Sequence, residues 1–295
     1  MSADRYRRVG DLAIARVIEM MFPTPAREFF PGTRDEDWAP HREWLAAEGA
    51  YDLASGNILL PVQSYVVRSS RHTILVDTCV GNDKQRTHRP AWHMKSDTTY
   101  MDNLRAVGLT CEDIDIVMCT HLHLDHVGWN TRLADGRWVP TFPNAEYLMS
   151  GKELEAFRWV DQPVSFPSMV DSVLPVVDAG QARLVESDHV IDDEVRLEPT
   201  PGHTPDHFAV RLASKGEHAV IAGDLMHSPV QCRHPEWHAR PDWDPELASA
   251  TRREFMRSHA RSGTFVCMMH FPLPSAGRFV PSGDVFRFEY DTERW

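Results

Sequence analysis

The decisive stretch is Asp115-Ile116-Val117-Met118-Cys119-Thr120-His121-Leu122-His123-Leu124-Asp125-His126. Its first half is a short apolar run, and its second half carries four metal-capable side chains in six positions. Residues 115–120 read as a buried strand, since a short continuous apolar run ending in polar residues needs cover on both faces. If the chain stays extended past Thr120, His121 and His123 project to the same side. Asp125 and His126 follow as the chain turns, so they face a neighbouring point. Zinc takes imidazole nitrogen and carboxylate oxygen at about 2.0–2.2 Å. Two imidazoles on one ion, with a carboxylate and an imidazole on a second, is therefore sound chemistry. A lone His-x-His would read as an exposed polar loop; the fuller pattern directly behind a buried strand reads as a metal site.

Working outward, three more residues take up the same kind of position. His203 lies in Pro201-Gly202-His203-Thr204-Pro205, a tight turn after a strand at 195–200. Asp224 ends the apolar strand 219–222, and His270 ends Phe265-Val266-Cys267-Met268-Met269-His270. Singly, these read as a turn residue, a helix cap and a surface histidine. Together with His121, His123, Asp125 and His126 they supply seven ligands on loops that follow buried strands, where a rigid scaffold presents functional side chains. Seven ligands suit two divalent cations with one shared carboxylate. The chain holds 16 histidines, the side chain that most often ligates metal.

The remaining pattern places these loops on an α+β framework. A strand pair is expected at 58–68, a strand at 72–78, a loop at 81–92 and a helix at 99–107 that stops at Gly108. A strand follows at 145–150, a helix from Gly151, and a mixed stretch at 161–180 with a helix near Met169–Leu174. Strands at 183–186, 195–200, 207–213 and 218–223 come in succession, then a charged amphipathic helix at 245–261, a strand at 265–269, and one or two strands in 278–290. Two blocks of strands, each followed by helices, favour a sandwich with helices outside over a strictly alternating parallel sheet. One compact domain is expected over 58–295. Residues 1–57 read as a polar, irregular N-terminal arm with one apolar patch (Ile14–Phe22) and one short helix, serving as a lid or as a contact in a homodimer.

Composition excludes several classes. Lys+Arg is 31 and Asp+Glu is 43, a formal charge of −12. Such a chain is a poor sequence-independent nucleic-acid binder, because that binding runs on phosphate neutralisation. It is also repelled by anionic membranes. No apolar run approaches the roughly 20 residues of a membrane helix. The N-terminal stretch is broken by Asp11, Arg16 and Glu19, so no secretory leader is expected. Five cysteines without CxxC spacing fit reduced thiols and a cytoplasmic location.

The order HxHxDH, then His203, Asp224 and His270, resembles the metallo-β-lactamase-fold hydrolase superfamily over about Leu60 to His270. The resemblance implies a four-layer αβ/βα sandwich with a dinuclear site. It implies that His121, His123 and His203 hold one metal, that Asp125, His126 and His270 hold the other, and that Asp224 bridges them. Asp77, which ends Ile74-Leu75-Val76-Asp77, matches the strand-end aspartate that supports the site without binding metal. Zinc is the default metal, with Mn, Fe or Co as alternatives.

Within the superfamily, the β-lactamases proper are exported and usually carry Cys where this chain has Asp224. The glyoxalase II branch adds a sizeable helical domain after that point, whereas this chain shows one clear helix. Nucleases add basic exosites, and diiron redox members replace a ligand of HxHxDH with a carboxylate. The chain is most similar to the quorum-quenching lactonases, pyridoxolactonase and methyl-parathion-hydrolase-like enzymes. The similarity implies opening of a lactone or cleavage of a carboxylic ester by a metal-bound hydroxide. Phosphotriester hydrolysis, a glyoxalase II-like thioesterase and a non-enzymatic scaffold stand as alternatives, the last opposed by the complete ligand set. Asp125 is the candidate proton shuttle. His227, three residues after Asp224, stands where the lactonases carry a tyrosine beside the substrate, and is the candidate donor to the oxygen that gains charge. Met20, Met21 and Phe22 of the arm, with Trp92 and His93 on the loop after strand 72–78, are the candidate substrate contacts. The partner is a small ester or lactone, with neither nucleic acid nor membrane.

Overall fold

The structure is a computed structural model describing residues 5–158 and 167–293. The chain divides into two compact units: residues up to Met20 with Val62–His189, and Met21–Pro61 with residues from Val190 onward. Among the described residues it passes from one unit to the other three times, twice within long strands and once in the loop at His189–Val190.

The first sheet uses β1 (Arg7–Val9), β2 (Leu12–Pro25), β3 (Tyr51–Asp52), β4 (Asn57–Arg68), β5 (Thr73–Val76), β6 (Ile116–Met118), β9 (Glu146–Ser150) and β10 (Ala182–Val185). β5, β6, β9 and β10 are mutually parallel in that order. Ile74, Leu75, Val76, Val117 and Met118 are fully buried, as parallel strands covered on both faces must be. Helices of this unit are α4 (Thr99–Ala106), α5 (Gly151–Arg158) and α6 (Leu174–Asp178). β7 (Thr131–Ala134) and β8 (Arg137–Pro140) make a separate hairpin. Asp135 and Gly136 turn it with φ of 50° and 74°, the left-handed pair a two-residue hairpin turn needs.

The second unit holds α1 (Ala26–Phe29), α2 (Asp35–Trp38), α3 (Arg42–Ala47) and a sheet of β11 (Val195–Pro199), β12 (Phe208–Ser214), β13 (Glu217–Ile221), β14 (Phe265–Cys267), β15 (Ala276–Ser282) and β16 (Val285–Tyr290). Only β13 and β14 are parallel neighbours in it. A parallel pair needs a crossover, which α7 (Pro245–Ser262) supplies. Asp244 caps α7 by accepting from the Leu247 N–H at 3.0 Å, Pro245 opens it, and Gly263 closes it at φ +63°. Ala248, Arg252, Phe255, Met256 and His259 form its buried stripe.

The α+β class is as expected, and most strands lie within two residues of their expected positions. Three expectations are corrected. The stretch 58–68 is one continuous strand rather than a pair. The segment before it is not irregular: β1 and β2 form a hairpin, and α1 to α3 follow. Along β2, burial alternates from Ala15 to Glu19, the period-2 pattern of a strand, but Arg16 and Glu19 disguise it. The β7–β8 hairpin lies where no strand was expected. Of the mixed stretch, 161–166 lies outside the described residues; a π-helical turn (Met169–Val173) then leads into α6. Among the described residues no helix is long and apolar enough to cross a membrane.

An aromatic cluster fills the second unit beneath α1 to α3. Phe30, Trp38 and Tyr51 are buried in it with Leu45 and Ile58, and Trp237 packs alongside. At its edge His41 accepts the Trp44 Nε1–H on Nδ1 at 3.2 Å and meets His234 Nε2 at 3.0 Å through its own Nε2. A further proton on His41 would point either at the Trp44 N–H or at the other ring. Burial first, then the charges of His234 and Arg233, push its pKa down from 6.5 to about 4. The unfolded chain therefore takes this proton first on acidification. Its contribution to stability is intact above 6.5 and is lost as pH falls from 6.5 toward about 4. His41→Gln should flatten that slope; the check is the difference in urea midpoint between neutral and mildly acid buffer for both proteins. Equal slopes would contradict it.

Candidate metal centre

In the first unit the HxHxDH loop is fixed from the end of β5. Asp77 is fully buried, with φ +59°. One of its oxygens accepts the Thr120 N–H at 2.7 Å; the other accepts the Thr120 hydroxyl at 2.7 Å and His126 Nδ1 at 2.8 Å. Burial pushes its carboxyl up, and the His126 and Thr120 hydrogen bonds act against that. Three converging donors suit an ionised carboxylate. With its Nδ1–H on Asp77, His126 presents Nε2 as its lone-pair nitrogen. Thr120, having given its proton to Asp77, receives the Nδ1–H of His121 at 3.1 Å. His121 Nε2 is thereby the lone-pair nitrogen, 3.1 Å from His123 Nδ1. Asp125 Oδ1 lies 3.8 Å from His126 Nε2.

Backbone bonds clamp this loop onto the β5 exit. Thr78 N–H donates to His126 O at 2.7 Å, and the Gly128 and Trp129 N–H groups donate to Cys79 O and Thr78 O at 2.8 Å each. Gly128 admits no side chain: a Cβ there would stand 1.9 Å from Val80 O. The glycine after HxHxDH is thus a packing requirement.

In the second unit His203, Asp224, His227 and His270 are all buried. His203 Nδ1 meets Asp242 at 2.8 Å, and Asp242 also accepts from Arg252 at 3.0 Å and from the Ala239 N–H at 2.9 Å. Burial alone would raise the Asp242 carboxyl; the bond and charge of His203 and the Arg252 guanidinium outweigh it and hold that carboxyl well below the usual range. His270 Nδ1 donates to Pro61 O at 2.8 Å. Both rings therefore present Nε2, and Asp224 stands between them. Its Oδ1 is 3.0 Å from His270 Nε2, and its Oδ2 is 3.5 Å from His203 Nε2.

His207 and His227 differ from these ligand-like rings. His207 Nε2 accepts the Asp224 backbone N–H at 2.9 Å while Nδ1 donates to Thr200 Oγ1 at 2.8 Å, so both nitrogens hold the Asp224 turn in place. His227 Nδ1 is buried with no hydrogen-bond partner among the described residues. Its Nε2 is 3.1 Å from Asp224 Oδ2. With no acceptor at Nδ1, unlike His270, whose Nδ1–H is taken by Pro61 O, a neutral His227 places its single proton on Nε2 toward the carboxylate. Burial chiefly, against the opposing Asp224 charge, pushes its pKa down to about 4. His203, Asp224 and His227 can bring one ligand atom each within 4.8 Å of one another; tautomer, rather than distance, separates His227 from the ligands.

The donor set fits metal within each unit. Two ligands on one tetrahedral ion at about 2.0–2.1 Å stand about 3.3–3.4 Å apart. The contacts at 3.0, 3.1, 3.5 and 3.8 Å bracket that spacing. Asp224 offers a different oxygen to each of two histidines, as a bridging carboxylate does.

The expected substrate residues divide. Phe22 packs against the aromatic cluster, Met21 is 41% exposed and Met20 is half-buried. Trp92 is corrected: expected at a rim, it is 2% exposed, with the Arg89 guanidinium 4.7 Å from its ring centroid. His93 Nδ1 accepts the Arg86 N–H at 3.0 Å. The arm residue that does meet a site histidine is Phe29, 5.0 Å from His227 edge to face. Nothing in its local sequence marked it. His207 was legible in Gly202-His203-Thr204-Pro205-Asp206-His207 but carried no assigned role, and Asp242 and Arg252 were not singled out.

The family model described as the metallo-beta-lactamase superfamily matches residues 57–260. An N-acyl homoserine lactonase of Bacillus cereus is 25% identical over 182 residues, 57% of this chain and 65% of that protein. The match thus spans about 65% of the relative's length. Among solved structures, the dizinc quorum-quenching lactonase AidC superposes with a TM-score of 0.77 at 19% identity, covering 97% of both chains. The hydrolase AbOPH gives 0.79 at 23% identity, again over 97% of both. A Staphylococcus aureus protein described as a probable metal-dependent hydrolase gives 0.79 at 18%, covering 97% of this chain and 99% of that one. At these identities the superpositions establish the fold.

Asp242 allows a direct test of the supporting layer. Asp242→Ala leaves the Arg252 guanidinium buried without its carboxylate and His203 without its acceptor. Breaking such a pair should lower the unfolding free energy by about 3–5 kcal/mol. Chemical denaturation measures it, and a loss below about 1 kcal/mol would contradict the assignment.

Proposed function

Because the chain belongs to the metallo-β-lactamase superfamily, we propose that it is a dinuclear metal-dependent hydrolase that opens a lactone or cleaves a carboxylic ester. The carrying observation is Asp224, whose two oxygens face the Nε2 atoms of two different histidines at 3.0 and 3.5 Å. His121, His123 and His203 are assigned to one ion, Asp125, His126 and His270 to the other, and Asp224 to both. When bound, two divalent cations, zinc by default, supply a water acidified toward neutrality and polarise the carbonyl under attack. The lactonase relatives support a small lactone or ester as substrate.

The chain's own residues provide the rest. Asp125, half-buried beside His126, is placed to take the proton of the attacking water and return it to the leaving oxygen. Asp77, Thr120, Asp242 and the Pro61 carbonyl keep the ligand rings in one tautomer. His227 holds its proton on Nε2, the form that can donate to an oxygen gaining charge. Phe29 packs edge to face against its ring, with centroids 5.0 Å apart.

Asp224→Ala should abolish hydrolysis of lactones and esters and bring metal content below two per chain; a variant with two metals and normal turnover would contradict the bridging role. His227→Ala should retain both metals and lose about 10²–10³ in kcat. Steady-state kinetics with metal content checked decides this; a loss under about threefold would remove the donor role.

A further inference from the structure

Glu19 lies on β2 and interrupts an otherwise apolar run, so sequence treats it as a break. In the fold its side chain is fully buried. Oε2 accepts the Val80 N–H at 2.7 Å, and Oε1 accepts Trp129 Nε1–H at 2.7 Å and Lys95 Nζ at 2.9 Å. These donors come from both ends of the loop after β5 and from the segment after HxHxDH. Val80 is three residues after Asp77, which orients His126. Trp129 is three residues after His126 itself. Lys95 closes the loop after β5, where it also donates to Asn82 Oδ1 at 2.8 Å and pairs with Asp97 at 3.1 Å. All of them belong to the first unit.

The contacts around this carboxylate leave little slack. The Val80–Gly81 backbone lies so close to Gly128 that neither glycine tolerates a Cβ. The Trp129 ring stacks on Tyr100 with centroids 5.5 Å apart and planes at 13°. A buried carboxylate is costly unless paired and fully hydrogen-bonded. Here a cation and two neutral donors satisfy it, and each neutral donor lies on a loop that carries part of the metal site. A carboxylate serving only the stability of β2 would not need one donor from each of those loops.

We infer that Glu19 is a positioning residue for the metal centre: it ties the loop carrying Asp77 to the loop carrying His126 and so fixes where His126 Nε2 points. Glu19→Gln keeps the size but removes the charge and turns one acceptor into a donor facing N–H groups. The effect should pass to the metal, since outer partners of metal ligands typically govern affinity 10–100-fold. This inference rests on the two-metal assignment above, and its test separates the two.

The experiment uses the full chain loaded with cobalt(II). Release to a chelator and the visible spectrum of the bound ion are recorded for wild type, Glu19→Gln and Trp129→Phe. The last removes one donor and keeps the carboxylate and an aromatic ring. The expected result is faster release of one of two equivalents in Glu19→Gln, by roughly 10–100-fold, with an altered spectrum. Trp129→Phe should shift the same equivalent in the same direction by a smaller factor. Substrate KM should stay within about twofold while kcat falls. Should Glu19→Gln not fold, Trp129→Phe carries the same readout. Variants that melt earlier yet show wild-type release and an unchanged spectrum would make Glu19 merely structural and overturn the inference. A wild-type protein that binds no cobalt would instead overturn the metal assignment itself.

Discussion

The hydrogen bond from Nδ1 to a fixed acceptor, made by four of the five histidines proposed as ligands, is the constraint on which the site depends. An imidazole has two nitrogens and, when neutral, one proton; whichever nitrogen keeps the proton cannot bind metal. Asp77 takes the proton side of His126, Thr120 that of His121, Asp242 that of His203 and the Pro61 carbonyl that of His270. In every case Nδ1 is occupied and Nε2 is left as the lone pair. Four acceptors imposing the same tautomer are hard to attribute to packing alone. His207 and His227 lack this arrangement, and the same reasoning assigns them other work.

The acceptors are themselves anchored, which explains the depth of the polar network. Asp242 is held ionised by His203 and by the buried Arg252 guanidinium, and Arg252 in turn donates to the carbonyls of Leu225 and Pro235 at 2.9 and 2.6 Å. Arg252 sits on the buried stripe of α7, so the crossover that a parallel β13–β14 pair requires also supplies the counter-charge for His203. Gly202 shows the same economy of space: at φ +128°, a Cβ there would stand 2.3 Å from the Ala248 backbone nitrogen, so the turn bearing His203 packs directly against the first turn of α7. Fold and site share these residues, and an error in one would propagate into the other.

What was legible in the sequence follows from range. The residues proposed as ligands stood out in the sequence because HxHxDH, Gly202-His203-Thr204 and Gly223-Asp224 are local patterns at strand ends. The α+β class and most strands were legible from short apolar runs. The arm was misread because Arg16 and Glu19 sit within β2; a buried glutamate is only intelligible once Lys95 and Trp129, distant in sequence, are seen to meet it. The same holds for Asp242 and Arg252, and for Phe29 against His227. Trp92 was expected at a rim because an aromatic residue on a loop reads as exposed, but it is buried. The β7–β8 hairpin escaped because Arg132, Asp135 and Arg137 dilute its strand signal, although Asp135-Gly136 is a strong turn pair.

The most direct test is the protonation state of the individual ring nitrogens, by long-range proton–nitrogen NMR of histidine-labelled protein before and after zinc. Before metal, His121, His126, His203 and His270 should show Nδ1–H with a pyridine-like Nε2, and His227 should show Nε2–H. On addition of zinc the four Nε2 resonances should move together, while both nitrogens of His207 stay put. Nε2–H at any of the four before metal, or a zinc-induced shift confined to His207 and His227, would contradict the account.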